Sequence, residues 1–171
     1  ALFHPQDGYI NPADVTQAMA KGARQHGVAI ERKWQVDGYR WTGSEWIVSV
    51  TKMVEKGGNL VPSDEKAEIR AEHVVTATGN HAQRTARLLG IKIPAIPVEH
   101  QYIVTEPDPA LVEWRRTNPE HPVLRDADAK WYVREERGGW ILGPYEYGAP
   151  ARFEYSVPDS FRADLFPLDL E

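Results

Sequence analysis

Two short stretches hold side chains able to move protons or grip a charged ligand: "PVEHQYIVTE", with His100, and "WYVRE", with Tyr132. In a strand, neighbouring side chains point to opposite faces, so His100 would share a face with Tyr102 and oppose Glu99 and Gln101. An imidazole so placed can bind a substrate carboxylate or shuttle a proton. It can equally be a hydrogen-bonded filler, and Tyr132 an amphipathic core residue. A third stretch, "HVVTATGNHAQRTARLLG" over 73–90, runs from an apolar β-type segment into a helix-like one, with Gly79 at the corner. Glycine there either lets a flat ligand approach the backbone, having no Cβ to hold it off, or merely supplies an unusual backbone angle at a tight connection.

Other chemistries lack an anchor. The sequence has no G-x-S-x-G elbow, Walker A loop, G-x-G-x-x-G or H-E-x-x-H, and its six histidines are scattered, so hydrolase, NTPase and metal-site readings find no support. A net charge of −5, without a long Lys or Arg run, argues against nucleic acid as a partner. No apolar run is long enough to span a membrane, and "ALFHPQDGY" lacks the features of a signal peptide. The expectation is a soluble chain. Absence of cysteine excludes disulfides and thiolate chemistry and suits a cytoplasmic protein.

At 171 residues, 42% of them hydrophobic, the chain can build one domain or two small lobes. Asn11-Pro12 signals a helix start, and the helix is expected over 12–26, capped by Gly27, with Val15, Met19, Gly22 and Ala23 forming a face that packs on a sheet. Strands are expected at 28–30, 34–39 and 45–54, then a short and a buried strand within 67–77. A helix over 81–89 stops at Gly90. The second half reads as antiparallel: a β-rich run at 98–106, a short helix over 107–116, and two strands within 129–146 turning at Gly138-Gly139. A further short helix is expected near 160–166. The fold class is α+β (α/β mixed).

Taken in order, "DGYINPADVTQAMAKGARQHG", "VVTATGNHAQRTARLLGIKIPAIPVEHQYIVTEP", "HPVLRDADAKWYVREERGGWILGPYE" and "VPDSFRADLFPLDL" resemble the middle of the dimethylglycine and sarcosine dehydrogenases. These are flavoproteins of the D-amino-acid-oxidase superfamily. The resemblance implies an internal fragment, with residues 1–92 as the later part of an FAD-binding Rossmann-type lobe and 93–171 as an antiparallel substrate-binding lobe with a C-terminal tail.

It also implies roles. Val36 resembles the position whose backbone meets the adenine end of FAD. Ala77, Gly79 and His81 resemble the flavin-contacting corner, although the family more often has tryptophan at the place of His81. His100 and Tyr132 resemble the pair that faces the substrate amine and carboxylate over the flavin ring, orienting the amine for hydride transfer from its N-methyl carbon. Arg134, on the Tyr132 face of the same strand, is the expected extra contact for an anionic substrate.

The implied parent is an FAD-dependent amine oxidoreductase acting on a dimethylglycine or sarcosine type of small-molecule amine. Its pyrophosphate loop, its covalent FAD-carrying histidine and a folate-binding region are expected in the missing remainder of the chain, so this fragment alone is expected to be inactive. Pairing with itself through a bared sheet, as a homodimer, is a further expectation. Two alternatives stay open: a D-amino-acid or glycine oxidase fragment, and a non-enzymatic binding module presenting Trp131, Trp140 and Tyr145 to a small molecule or protein.

Overall fold

A computed structural model of the chain describes residues 2–155, 157–158, 161 and 165–167. The backbone divides into two compact units, one of Ala1–His26 and Val98–Pro150, the other of Gly27–Pro97 and Ala151–Pro167. Each contains one antiparallel sheet, in keeping with the α+β class expected.

In the unit of Gly27–Pro97, β1 (Trp34–Trp41), β2 (Trp46–Lys56) and β3 (Asn59–Ala71) form a meander with β2 in the centre. Gly57 and Gly58, both at positive φ, make the two-residue turn between Lys56 and Asn59, the geometry that matches strand twist. The core is centred on β2, where Ile47, Val48, Val50 and Thr51 are buried. Asp37 is an extra residue in β1: Val36 faces Val50 and Gly38 faces Ser49, leaving Asp37 as a bulge.

After β3, a turn of 3-10 helix (Gly79–His81) leads into α2 (Ala82–Leu89), which buries Thr85 and Ala86. Gly90 ends it in the left-handed region at φ 67°, and the Ile91 amide donates to the Ala86 carbonyl at 2.9 Å. That is the six-to-one bond of a glycine-stopped helix. Two expected strands are absent. Residues 28–30 carry no ladder, and 73–78 run as irregular backbone with Val75 90% exposed. An apolar run becomes a strand only beside a chain that takes its amides and carbonyls, and among the described residues no strand pairs with 73–77.

In the unit of Val98–Pro150, β4 (Ile103–Val104), β5 (Leu124–Asp126), β6 (Trp131–Glu136) and β7 (Gly139–Pro144) lie in the order β4-β7-β6-β5. β5 was not expected from the sequence, and β4 is shorter than the β-rich run of 98–106. The β6–β7 turn is Arg137-Gly138, at φ 51° and 81°, one residue earlier than expected. Gly139 belongs to β7, where a Cβ would stand 2.6 Å from the Glu106 carbonyl.

The unit's first helix, α1 (Pro12–Gln25), starts as the sequence indicates, the Asn11 side chain accepting from the Ala13 and Asp14 amides. It buries no residue and Met19 is 72% exposed, so the sheet expected against its face is not met among the described residues. Helix α3 (Pro109–Trp114) is capped by Asp108, which also accepts from the Trp140 indole at 3.1 Å. Beneath it Glu135 is buried, bonded by the His121 amide and ring at 2.7 and 2.5 Å and paired with Arg115 at 3.1 Å. His121 stacks on Trp114. The helix expected near 160–166 lies largely outside the described residues.

Candidate functional site

The bulge at Asp37 shapes the first hollow. One inserted residue reverses the alternation of side chains, so Tyr39 rather than Gly38 joins Trp34 and Val36 on one face. Opposite them stand Thr78, His81, Arg84, Thr85 and Leu88 of the corner and of α2, around a hollow of about 330 Å³. Asp37 accepts from Thr51 Oγ1 at 2.5 Å and from Gln35 at 3.2 Å. Burial pushes its carboxyl up, but these bonds, with the charges of Arg84 and Lys66, hold it below the ordinary 3.8. Thr78 and Thr85 hydroxyls lie 2.9 Å apart and tie the corner to α2.

Of the residues expected here, Val36 and His81 line this hollow together. Gly79 and Ala77 are exposed beside its Thr78 wall. Gly79 has φ 51° and nothing within 4 Å of where a Cβ would be. Its positive φ thus accounts for glycine in terms of backbone angle, while the open space leaves the backbone accessible. Indole and phenol walls with hydroxyl, imidazole and guanidinium groups between them fit one flat heteroaromatic end of a dinucleotide. Residues Trp34, Tyr39 and Arg84 were not anticipated; only the bulge, a pairing irregularity, brings Tyr39 in.

The second hollow, of about 320 Å³, is lined by His100, Gln101, Tyr102, Arg125, Tyr132, Pro144 and Tyr145. Here His100 and Tyr132, 32 positions apart in the numbering, are brought together. His100 is not in a ladder, yet it and Tyr102 both line the hollow. Its Nδ1 lies 3.3 Å from Glu146 Oε2, and its ring meets Tyr145 edge-on at 6.4 Å. The Tyr145 amide donates to the Lys130 carbonyl at 2.7 Å, prolonging the hairpin and setting the Tyr145 ring 5.5 Å from that of Tyr132. A phenol hydroxyl and an imidazole at one opening can donate to or accept from an amine or a carboxylate.

Arg134 is not among the lining residues. It bonds Glu136 at 2.6 Å and the Glu135 carbonyl at 2.9 Å, with its guanidinium 4.4 Å from the Tyr9 ring. Arg125, which sequence reasoning missed, lines the hollow instead. A signal existed: "RDADAK" is a turn, with Asp126 accepting from the Asp128 and Ala129 amides at 3.0 and 2.8 Å, so a strand should precede it. Trp140, held by Asp108 and close to His121, is half-buried structure rather than a displayed patch. Among the described residues there is no cluster suited to a metal ion and no helix long and apolar enough to cross a membrane.

The DAO family, described as FAD dependent oxidoreductase, matches residues 1–167. The chain is 33% identical to dimethylglycine dehydrogenase, mitochondrial, of Rattus norvegicus, over 99% of its own length and 19% of the relative's. It is 30% identical to sarcosine dehydrogenase, mitochondrial, of Homo sapiens, over 99% and 17%. It is 29% identical to 4-methylaminobutanoate oxidase (formaldehyde-forming) of Paenarthrobacter nicotinovorans, over 98% and 18%. The chain thus spans less than a fifth of the length of these curated relatives.

Proposed function

The chain belongs to the DAO family of FAD-dependent oxidoreductases, and from that premise we propose that its parent oxidises a secondary or tertiary N-methyl amine of glycine, of the dimethylglycine or sarcosine type. The observation that carries the proposal is the meeting of His100 and Tyr132 in one hollow. FAD, when bound, supplies the acceptor for the hydride of the N-methyl carbon.

The chain's own residues orient the amine. His100, steadied by Glu146 and the edge of Tyr145, and the Tyr132 hydroxyl fix one end of the molecule, and a well-held geometry lowers the barrier by prepaid orientation. Arg134 is the second-rank contact for an anionic end. Val36, Ala77, Gly79 and His81 are the residues we assign to FAD, with Trp34 and Tyr39 beside them. Assigning 1–92 to the FAD lobe and 93–171 to the substrate lobe follows the order of the resemblance, although Tyr9 bonds Glu120 of the other segment at 2.5 Å.

The same reading extends to a folate-binding region elsewhere in the parent and to self-pairing of the isolated chain, read out by sedimentation at several concentrations. A cysteine-free chain suits the cytoplasm; two of the relatives are named as mitochondrial, and cell fractionation decides the compartment.

The test is visible absorption under anaerobic conditions. The full-length flavoprotein is expected to lose its flavin bands on adding dimethylglycine or sarcosine, and the isolated chain to show no saturable shift of added FAD. A parent whose flavin no N-methylated glycine bleaches overturns the proposal.

A further inference from the structure

The geometry points to Arg125 as the principal anchor for the carboxylate of the molecule held between His100 and Tyr132, making this hollow selective for acids. The inference rests on that hollow being the substrate site. Arg125 and Tyr132 are direct partners across β5 and β6, so their side chains leave the sheet on one face, and both line the hollow. The guanidinium stands 5.4 Å from the Tyr145 ring centroid. A cation over an aromatic face is attracted to it yet keeps its donors for another partner.

Two other arginines of this unit already have carboxylate partners. Arg134 is paired with Glu136, and Arg115 with Glu135. Of the carboxylates near Arg125, Glu146 is turned to His100, and Asp126 accepts from its own turn. Among the described residues no carboxylate is bonded to Arg125. An incoming carboxylate therefore forms a charge-assisted pair without breaking one. A neutral amide offers the guanidinium a carbonyl oxygen but no opposite charge as the hollow fills, and that difference is what discriminates acids from their amides.

Binding of methoxyacetate and of methoxyacetamide to the full-length flavoprotein, followed by ligand-detected NMR, tests this without requiring turnover. Arg125→Gln should weaken methoxyacetate at least about tenfold, the expected worth of a charged hydrogen bond, and change methoxyacetamide less than about twofold. Arg125→Lys should fall between, Arg134→Gln should cost less than Arg125→Gln, and Arg137→Gln, which removes an exposed charge outside the hollow, should have little effect. The inference is overturned if Arg125→Gln leaves methoxyacetate unchanged, if both probes weaken alike, if Arg134→Gln costs more, or if the unmodified protein binds no methoxyacetate. A parent that binds methoxyacetate through Arg125 yet is not bleached by N-methylated glycines supports this inference and sinks the proposed reaction.

Discussion

The Tyr132 ring lies across Gly143: a Cβ at Gly143 would stand 2.3 Å from Tyr132 Cζ and 2.3 Å from its hydroxyl oxygen. The two residues are direct partners on β6 and β7, so the bare glycine is the floor on which the phenol rests. Gly143→Ala should push the ring out of place. A shift of about 1 Å can cost about 100-fold in rate, so turnover of the parent should drop by one to two orders of magnitude. Stability should fall by only about 1 kcal/mol, because the obstacle is the movable end of a side chain. Steady-state kinetics beside thermal melts separate the two effects; unchanged turnover would remove Tyr132 from the proposed role.

Gly139 makes the contrast. A Cβ there meets the backbone carbonyls of Glu106 and Thr105 and the Thr105 hydroxyl, at 2.6 to 3.0 Å. Backbone cannot swing aside. Gly139→Ala should therefore destabilise by about 1–3 kcal/mol, the range for overpacking a filled site, and a denaturant midpoint equal to the parent's would contradict the close approach of β7 to residues 105–106.

Acid stability should pass through Glu135. Burial works to raise its carboxyl, but the His121 amide and ring and the Arg115 guanidinium outweigh burial and leave it below the ordinary 4.5. A depressed carboxyl contributes stability that is complete above the unfolded value, about pH 4.5, and is lost as pH falls through the folded value. Melting temperature should hence fall steeply below about pH 4.5. Glu135→Gln should flatten that slope and lower stability near neutrality by on the order of 2 kcal/mol, since it strands Arg115 and His121 around a neutral group. An unaltered acid slope would exclude this cluster as its source.

Deleting Asp37 should remove the bulge and leave Tyr39 two positions after Val36, so that plain alternation keeps it on the Trp34 and Val36 face with the same cross-strand partners. The parent should then keep its FAD, measured as flavin released on gel filtration, and a marked loss would contradict the pairing of Gly38 with Ser49 and of Tyr39 with Val48 on which the bulge rests. Asp37→Ala keeps the residue count and should cost only the hydrogen bonds from Thr51 and Gln35, about 1 kcal/mol.

Gly79→Val should be harmful twice over. Its φ of 51° costs a β-branched residue about 1–2 kcal/mol, and the added methyls occupy open space above the corner. Gly79→Ala should show a smaller loss of stability. If neither variant weakens flavin retention, the corner serves only the chain's own turn.

The sequence by itself determined whatever depends on near neighbours. Asn11-Pro12 starts α1, Gly90 stops α2 and Gly57-Gly58 turns β2 into β3, because caps and tight turns are settled within a few residues by hydrogen bonds and allowed φ. The quoted motifs also sufficed for the family. Tertiary structure alone decided that "HVVTA" is not a strand here, that Tyr39 joins Val36, and that Arg125 rather than Arg134 reaches the hollow of His100 and Tyr132. Each of these depends on which distant backbone accepts a residue's hydrogen bonds and in what register, and side-chain direction along a strand reverses with a shift of one residue.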